Sequence, residues 1–385
     1  MGDAMFAMDE DEKRQAAYAA ARERYNTTTE LIADAQQRVE PARWDYIASA
    51  TESETSLKRN RMGIDSLALR PRVMRNVANT DPATEFLGRR QRLPVLLAPV
   101  GGIHTFAEGG AALPARAGRE FGVDFMQSSV TEPDMEVVSA AAGDHWLFQL
   151  YVFGDLGWIE DYLKSAIDLG VKGFCITVDS DHYSRRERNL IRHVDARASN
   201  ARGRGDPKWR QKFDWATFDK IRALSDIPMM LKGIMRPEDA ALCAEHGVDV
   251  VYISNHGGRQ LDHGQGTIDV LPEIVDAVAG RAKIVIDGGF LRGTDILKAI
   301  ILGADMVGIG KLQAMAVGAA SEAGVHRMLE ILEDEITIDM KLMGVNKLSE
   351  LDASYITTAQ PTEAPSVFST FPLLKYWGMK DSGEL

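Results

Sequence analysis

At 385 residues, 45% hydrophobic and 26% charged, the chain has ordinary globular composition and room for several average domains or one α/β barrel. A net charge of −12 with a pI near 5.2 excludes nucleic acid or an anionic membrane surface as a partner recognised through the overall field, while leaving open a local basic pocket for an anionic substrate. No stretch nears the ~20 apolar residues of a membrane helix, Met1–Arg14 is acidic and lacks a secretory apolar run, and the only cysteines are Cys175 and Cys243, so a soluble cytoplasmic protein without disulfides is expected.

In chain order, residues 1–12 are expected to fray. From about Glu12 to Val39 the pattern is helical and alanine-rich, interrupted at Thr27-Thr28-Thr29, and Trp44 to Arg59 reads as a further helix carrying Tyr46. Residues 60–92 read as an irregular lead-in with β character. After Leu93 short apolar runs alternate with helical segments: Val95–Pro99, Val123–Ser128, Trp146–Tyr151, Gly173–Asp179, Pro228–Lys232, Asp249–Ser254, Lys283–Asp287 and Met306–Gly310. Apolar runs of this length, bounded by turn residues, read as buried parallel strands. Helical patterns such as Asp155–Leu169, Arg236–Glu245 and Gly293–Leu302 fill the gaps. Eight βα units predict an α/β fold of the TIM (β/α)8 barrel class with an N-terminal helical segment and a C-terminal extension. A doubly wound sheet competes, but it usually has fewer strands and a glycine-rich first turn, which this chain lacks.

The division that follows is a helical lead-in over 1–92 packed on the barrel, a barrel over 93–351, and a tail over 352–385. The gap from Asp179 to Pro228 contains the charged, glycine-bearing stretch Arg192 to Arg210. It follows the fourth strand, on the face where barrels do chemistry, and reads either as a lid at about 187–215 or as a disordered insertion. The tail is rich in Pro, Ser and Thr before the apolar run Phe368 to Met379, which is expected to pack on its own barrel or on a neighbouring subunit.

Active sites of such barrels lie at the C-terminal strand ends. His256, in Ser254-Asn255-His256-Gly257-Gly258-Arg259-Gln260-Leu261-Asp262, is either a satisfied structural histidine or a base. Two glycines after it let backbone approach a ligand closely, and Arg259 offers a planar fork for a carboxylate. A base beside a carboxylate clamp suits proton removal from a hydroxy acid. Asp179 reads as the partner of that imidazole or as a helix cap. Arg185-Arg186-Glu187-Arg188 reads as a solvated face or a second clamp. Lys232 ends a very apolar strand, so it is buried against a negative partner, reaches into the pocket, or serves as a Schiff-base lysine. Asp287-Gly288-Gly289 and Gly308-Ile309-Gly310-Lys311 follow the last two strands, where barrels often bind phosphate. The second is no Walker loop, because Asp305 and Leu312 stand where a glycine and a Ser or Thr are needed. No histidine or cysteine pair has metal-ligand spacing.

The string Ser254–Asp262 resembles the active-site signature of the FMN-dependent 2-hydroxy acid oxidases and dehydrogenases, a family that includes glycolate oxidase, lactate oxidase and monooxygenase, mandelate dehydrogenase and flavocytochrome b2. Other blocks match in order from about Trp44 to Leu351: Asp45-Tyr46-Ile47-Ala48-Ser49, Ala98-Pro99-Val100-Gly101, Ser128, Phe148-Gln149-Leu150-Tyr151, Thr177-Val178-Asp179, Arg185-Arg186-Glu187, Leu231-Lys232-Gly233 and Asp287-Gly288-Gly289. The resemblance implies FMN as cofactor and oxidation of an (S)-2-hydroxy acid to a 2-oxo acid, with electrons passing to O2 or another acceptor. It implies His256 as base paired with Asp179, a carboxylate held by Arg259, Arg186 and Tyr46, and Tyr151 bonded to the substrate hydroxyl. Lys232 would stabilise the reduced flavin, with Pro99, Val100, Gly101, Ser128, Gln149, Thr177 and Ser254 around the ring. Asp287, Gly288, Gly289, Arg292, Gly310 and Lys311 would hold the ribityl phosphate end, and a homotetramer is the expected assembly. Leu291 replaces the family's usual arginine, Lys311-Leu312 its usual Arg-Pro, Val130 a position often aromatic, and the loop after strand four is short for the family. The first two changes imply looser FMN retention. A larger or peptide-borne 2-hydroxy substrate, and a flavin-free scaffold, are the competing readings.

Overall fold

The computed structural model describes residues 9–193 and 205–378; the first eight of the residues 1–12 expected to fray, the centre of the expected lid at 194–204, and the last residues of the tail lie outside it, while Glu10 to Glu12 are helical where fraying was expected. Helix α1 (Glu10–Arg24) starts on a reciprocal cap: Glu12 N–H donates to the Asp9 carboxylate at 2.8 Å, and Asp9 N–H to that of Glu12 at 3.1 Å. The same device at Thr27 and Glu30 starts α2 (Thr28–Arg38), so the threonine run ends one helix and opens the next. Proline at the first position opens α3 (Pro41–Ala48), and α4 spans Thr55–Asp65.

The single helix read over Trp44–Arg59 is therefore two. Glu52 and Glu54 have φ of +43° and +59°, and the carbonyls that would continue α3 are taken by cations from the barrel. Lys311 Nζ donates to the Ile47 and Ser49 carbonyls at 2.8 and 2.9 Å, and Arg259 Nη1 donates to the Tyr46 carbonyl. Positive charge on the exposed carbonyls of a helix end stabilises a stop there. The lead-in also holds more helix than the sequence suggested, since α4 runs to Asp65 before the short strand β1 (Leu67–Leu69) and the hairpin β2 (Thr84–Phe86) and β3 (Arg89–Gln91).

Eight parallel strands then close a barrel, as the apolar runs predict. They are β4 (Val95–Leu97), β5 (Phe125–Ser128), β6 (Trp146–Leu150), β7 (Phe174–Thr177), β8 (Met229–Ile234), β9 (Val250–Ile253), β10 (Lys283–Ile286) and β11 (Met306–Ile309), with β11 pairing back to β4. Nearly every strand residue is buried, which is why the runs are continuous and not alternating. Leu96, Met126, Leu147, Cys175, Met230, Val250, Tyr252, Val285 and Met306 form an inner cluster, joined by Phe86 of the hairpin. The flanking helices are α5 (Ala112–Phe121), α6 (Met135–Ala142), α7 (Leu156–Asp168), α8 (Glu187–Ile191), α9 (Trp215–Arg222), α10 (Pro237–Glu245), α11 (Thr267–Val278), α12 (Gly293–Ile301) and α13 (Lys311–Met343), the last broken at Ala320–Ser321.

The tail returns to the lead-in. Strand β12 (Ile356–Thr358) pairs antiparallel with β1, Phe368 stacks on Trp44 of α3 at 5.8 Å between ring centroids, and Phe371 and Leu374 are buried. Both cysteines are buried and free. Among the described residues no helix is long and apolar enough to cross a membrane.

Candidate active site

The strand ends open into a cavity of about 490 Å³, within the range of small-molecule and cofactor sites. His256 stands in its wall, just past β9. His256, Gly257 and Gly258 have φ of +60°, +65° and +79°, a left-handed run that turns the chain back over the barrel mouth. At Gly258 a Cβ would meet the Leu57 backbone nitrogen at 2.6 Å, so this contact with α4 requires glycine. Histidine itself holds a left-handed conformation that costs about 1 kcal/mol and recurs at functional sites.

The imidazole is fixed at both nitrogens. Its Nδ1 lies 3.0 and 3.2 Å from the Asp179 carboxylate oxygens, and Nε2 lies 3.1 Å from the Tyr151 hydroxyl. The carboxylate demands a proton on Nδ1, which leaves Nε2 as the acceptor. Burial outweighs the attraction of Asp179 and holds His256 below its ordinary pKa, neutral at pH 7. Burial works against the Asp179 charge too, but the facing imidazole and Lys232 outweigh it and keep the carboxyl below its ordinary range. Burial drives the Tyr151 phenol well above its ordinary value, so it stays protonated. Asp179 is thus the partner of His256 and caps no helix.

Beneath the imidazole lies a second polar network. Lys232 Nζ donates to the Ser254 hydroxyl at 2.6 Å, which donates to Asp287 at 2.6 Å and accepts the His256 backbone N–H at 3.0 Å. Lys232 also lies 3.2 Å from Asp287. Burial opposes its charge, but Asp287 and Asp179 prevail and raise its pKa. A proton held this firmly does not suit the Schiff-base role. The Lys232 ammonium faces the cavity with the Tyr252 ring 5.1 Å from its nitrogen.

Two guanidiniums converge on Tyr46. The Arg259 and Arg186 carbons lie 4.4 and 5.8 Å from its ring centroid, and the Tyr46 hydroxyl donates to the Gly101 carbonyl at 3.0 Å. Arg259 Nη2 and Arg186 Nε are buried without hydrogen-bond partners. Burial and the neighbouring Arg186 charge pull Arg259 down to about 10. Unpaired buried N–H groups of this kind are costly unless an anion completes them.

The residues expected around a flavin divide into two groups. Pro99, Val100, Gly101, Lys232, Asp287, Gly288, Gly289, Gly310 and Lys311 line the cavity. Ser128, Gln149, Thr177 and Ser254 are buried at adjacent strand ends and are not part of its lining. Both amide atoms of Gln149 and the Thr177 hydroxyl lack partners, which fits the alternating N–H and C=O edge of a flavin pyrimidine ring. Arg292 departs from expectation. It pairs with Glu335 of α13 at 2.8 Å, packs on Phe371 at 5.5 Å and does not line the cavity, whereas the apolar Leu291 beside it does. The Glu335 carboxylate also accepts the Gly293 N–H at 2.7 Å and fixes this turn. Of the two cations expected at the phosphate end, Lys311 is the one that lines the cavity, and it is committed to the α3 carbonyls; burial lowers its pKa well below the ordinary value. Arg61 also lines the cavity, donating to the Gly289 carbonyl at 2.6 Å and to Asp295 at 2.8 Å. The unpartnered polar atoms of Gln149 and Thr177 fit a flavin ring, and the cations beside Gly289 and Gly310 are already engaged by groups of the protein. Lys311→Met is expected to loosen FMN about 10-fold while barely changing affinity for riboflavin, which lacks the phosphate. Titrating apoprotein with both flavins checks this, and an equal effect on the two would assign Lys311 a purely structural part.

Some cavity residues escaped the sequence reading. Arg210, Phe153, Tyr183 and Asn60 line it but belong to no motif. Arg210 closes the charged stretch noted after strand four, the one available hint. Among the described residues no cluster of His, Cys, Asp or Glu could hold a metal ion.

Comparison with known proteins agrees with this geometry. The sequence model of the family described as FMN-dependent dehydrogenase matches residues 35–358. L-lactate oxidase of Nostoc sp. is 32% identical over 338 residues, covering 81% of this chain and 93% of that protein. L-lactate dehydrogenase of Caulobacter vibrioides is 33% identical over 379 residues, covering 87% and 98%. The solved structure of mandelate oxidase with benzoyl-formic acid superposes with a TM-score of 0.81 at 31% identity, covering 87% of this chain and 99% of that one.

Proposed function

This chain belongs to the FMN-dependent dehydrogenase family, and from that premise we propose that it oxidises an (S)-2-hydroxy acid to a 2-oxo acid, with O2 or another acceptor receiving the electrons. The observation that carries the reading is a neutral imidazole, unprotonated at the Nε2 that the Tyr151 hydroxyl meets, in the same cavity as two guanidiniums with unpaired N–H groups.

Arg259 and Arg186, with Tyr46, bind the carboxylate and set the α-carbon beside His256. Tyr151 turns its hydroxyl from Nε2 to the substrate hydroxyl as the acid enters. His256 accepts the proton released by the carbinol, and Asp179 stabilises the imidazolium that forms. FMN, when bound, supplies the two-electron acceptor. Gln149, Thr177, Ser128, Ser254, Pro99, Val100 and Gly101 would hold its ring, and Asp287, Gly288, Gly289, Gly310 and Lys311 its phosphate arm. Lys232 keeps a fixed positive charge at the cavity floor, suited to negative charge developing on that ring. A scaffold without catalysis has no use for this set.

The test is an anaerobic screen. Purified protein loaded with FMN should bleach on addition of small 2-hydroxy acids, and a yellow protein that none of them bleaches would overturn the proposal. The pH dependence follows from His256. It must be neutral to accept a proton and its pKa lies below the ordinary ~6.5, so kcat/KM should fall as pH drops through that lowered value and stay level from neutral pH until Arg259 begins to lose its charge at about 10. An acid limb centred above pH 7 would contradict the assignment. The same reading takes the protein as a cytoplasmic homotetramer, which sedimentation and cell fractionation would check.

A further inference from the structure

Besides Arg259, Arg186 and Arg61, the last paired with Asp295 at 2.8 Å, the cavity wall carries a fourth guanidinium that the reading above does not use. Arg210, in the turn Pro207–Lys212, lies with its guanidinium carbon 4.8 Å from the Phe153 ring centroid and 5.9 Å from that of Tyr151. Arg259 lies over Tyr46 at 4.4 Å, and Arg186 lies over Tyr183 at 4.4 Å and donates to its hydroxyl at 2.9 Å, so neither uses the Phe153 and Tyr151 rings that face Arg210. Like theirs, the Arg210 side chain keeps a buried N–H, its Nε, without a partner. It makes no ion pair among the described residues, although Asp181 lines the same cavity.

One α-carboxylate satisfies Arg259 and Arg186. It leaves Arg210 partly withdrawn from water beside two aromatic faces, with burial working against its charge. Cation–π contact with Phe153 offsets part of that cost, but an unpaired cation in a cavity is best completed by an anion. The Tyr151 ring near Arg210 is also the ring whose hydroxyl reaches His256 Nε2 at 3.1 Å. An anionic group on Arg210 would therefore stand beside the same Tyr151 ring whose hydroxyl meets His256.

Building on the proposed oxidation of 2-hydroxy acids, we propose that the preferred substrate is a short dicarboxylic 2-hydroxy acid, with its α-carboxylate on Arg259 and Arg186 and its distal carboxylate on Arg210.

The experiment compares anaerobic flavin reduction by pairs that differ in one end group: L-malate against L-2-hydroxybutyrate, and L-2-hydroxyglutarate against L-2-hydroxyvalerate, with L-mandelate as an aromatic reference. At least one diacid should exceed its methyl-ended partner about 10- to 100-fold in kcat/KM. That ratio should collapse in Arg210→Met through KM and recover in part in Arg210→Lys. Succinate should perturb the flavin spectrum at lower concentration than butyrate, and Arg210→Met should erase the difference. Flavin content reports whether each variant is folded. A wild-type preference for the monoacids or mandelate, or an Arg210→Met loss equal for both members of a pair, overturns this substrate class and leaves the oxidation of 2-hydroxy acids standing. Reduction by none of the acids overturns the function itself, and this inference with it.

Discussion

His256→Ala is expected to slow anaerobic reduction of the bound flavin by about 10⁴-fold while the protein stays yellow. The expectation rests on the separation of two jobs within one loop. In the proposed reaction Nε2 accepts the proton, whereas the contact to the network below is the His256 backbone N–H to the Ser254 hydroxyl at 3.0 Å, which the substitution keeps. Lys232, Ser254 and Asp287 therefore stay in place, and so should the cofactor. Alanine also inherits a left-handed φ of +60°, so a modest loss of stability accompanies the loss of rate. Stopped-flow absorbance gives the rate and the visible spectrum gives flavin occupancy. A rate within 10-fold of the parent would remove His256 from the chemistry.

Arg259→Met should cost about 10² to 10³ in kcat/KM, most of it in KM. The guanidinium lends Nη2 to the cavity, but it also ties the Tyr46 carbonyl through Nη1 and lies 4.4 Å from the Tyr46 ring. Methionine preserves much of the apolar bulk and forfeits the charge. The result to look for is a raised KM with a smaller fall in kcat, and partial recovery in Arg259→Lys, which restores charge without the fork. An unchanged KM would place the substrate carboxylate elsewhere.

The sequence revealed the barrel clearly because buried parallel strands are written as continuous apolar runs, and eight such runs at regular spacing admit few folds. His256, Arg259, Asp179 and Lys232 were legible because short strand-end motifs deliver them to one rim. What stayed hidden depends on contacts between distant segments. The break between α3 and α4 comes from cations more than 200 residues away capping the Tyr46, Ile47 and Ser49 carbonyls, which no local pattern records. Arg292 was misplaced because Glu335, on another helix, draws it off. Arg210 went unassigned because only the path of the loop brings its side chain onto Phe153 and Tyr151.

The end of α3 carries a mechanical implication. Arg259, proposed to take the acid, and Lys311, proposed to face the phosphate arm, are moored to the same few carbonyls. Any change that shifts this helix terminus must disturb both moorings together. Lesions in the N-terminal helices, far from the reacting carbon in sequence, should therefore degrade cofactor retention and acid capture in step.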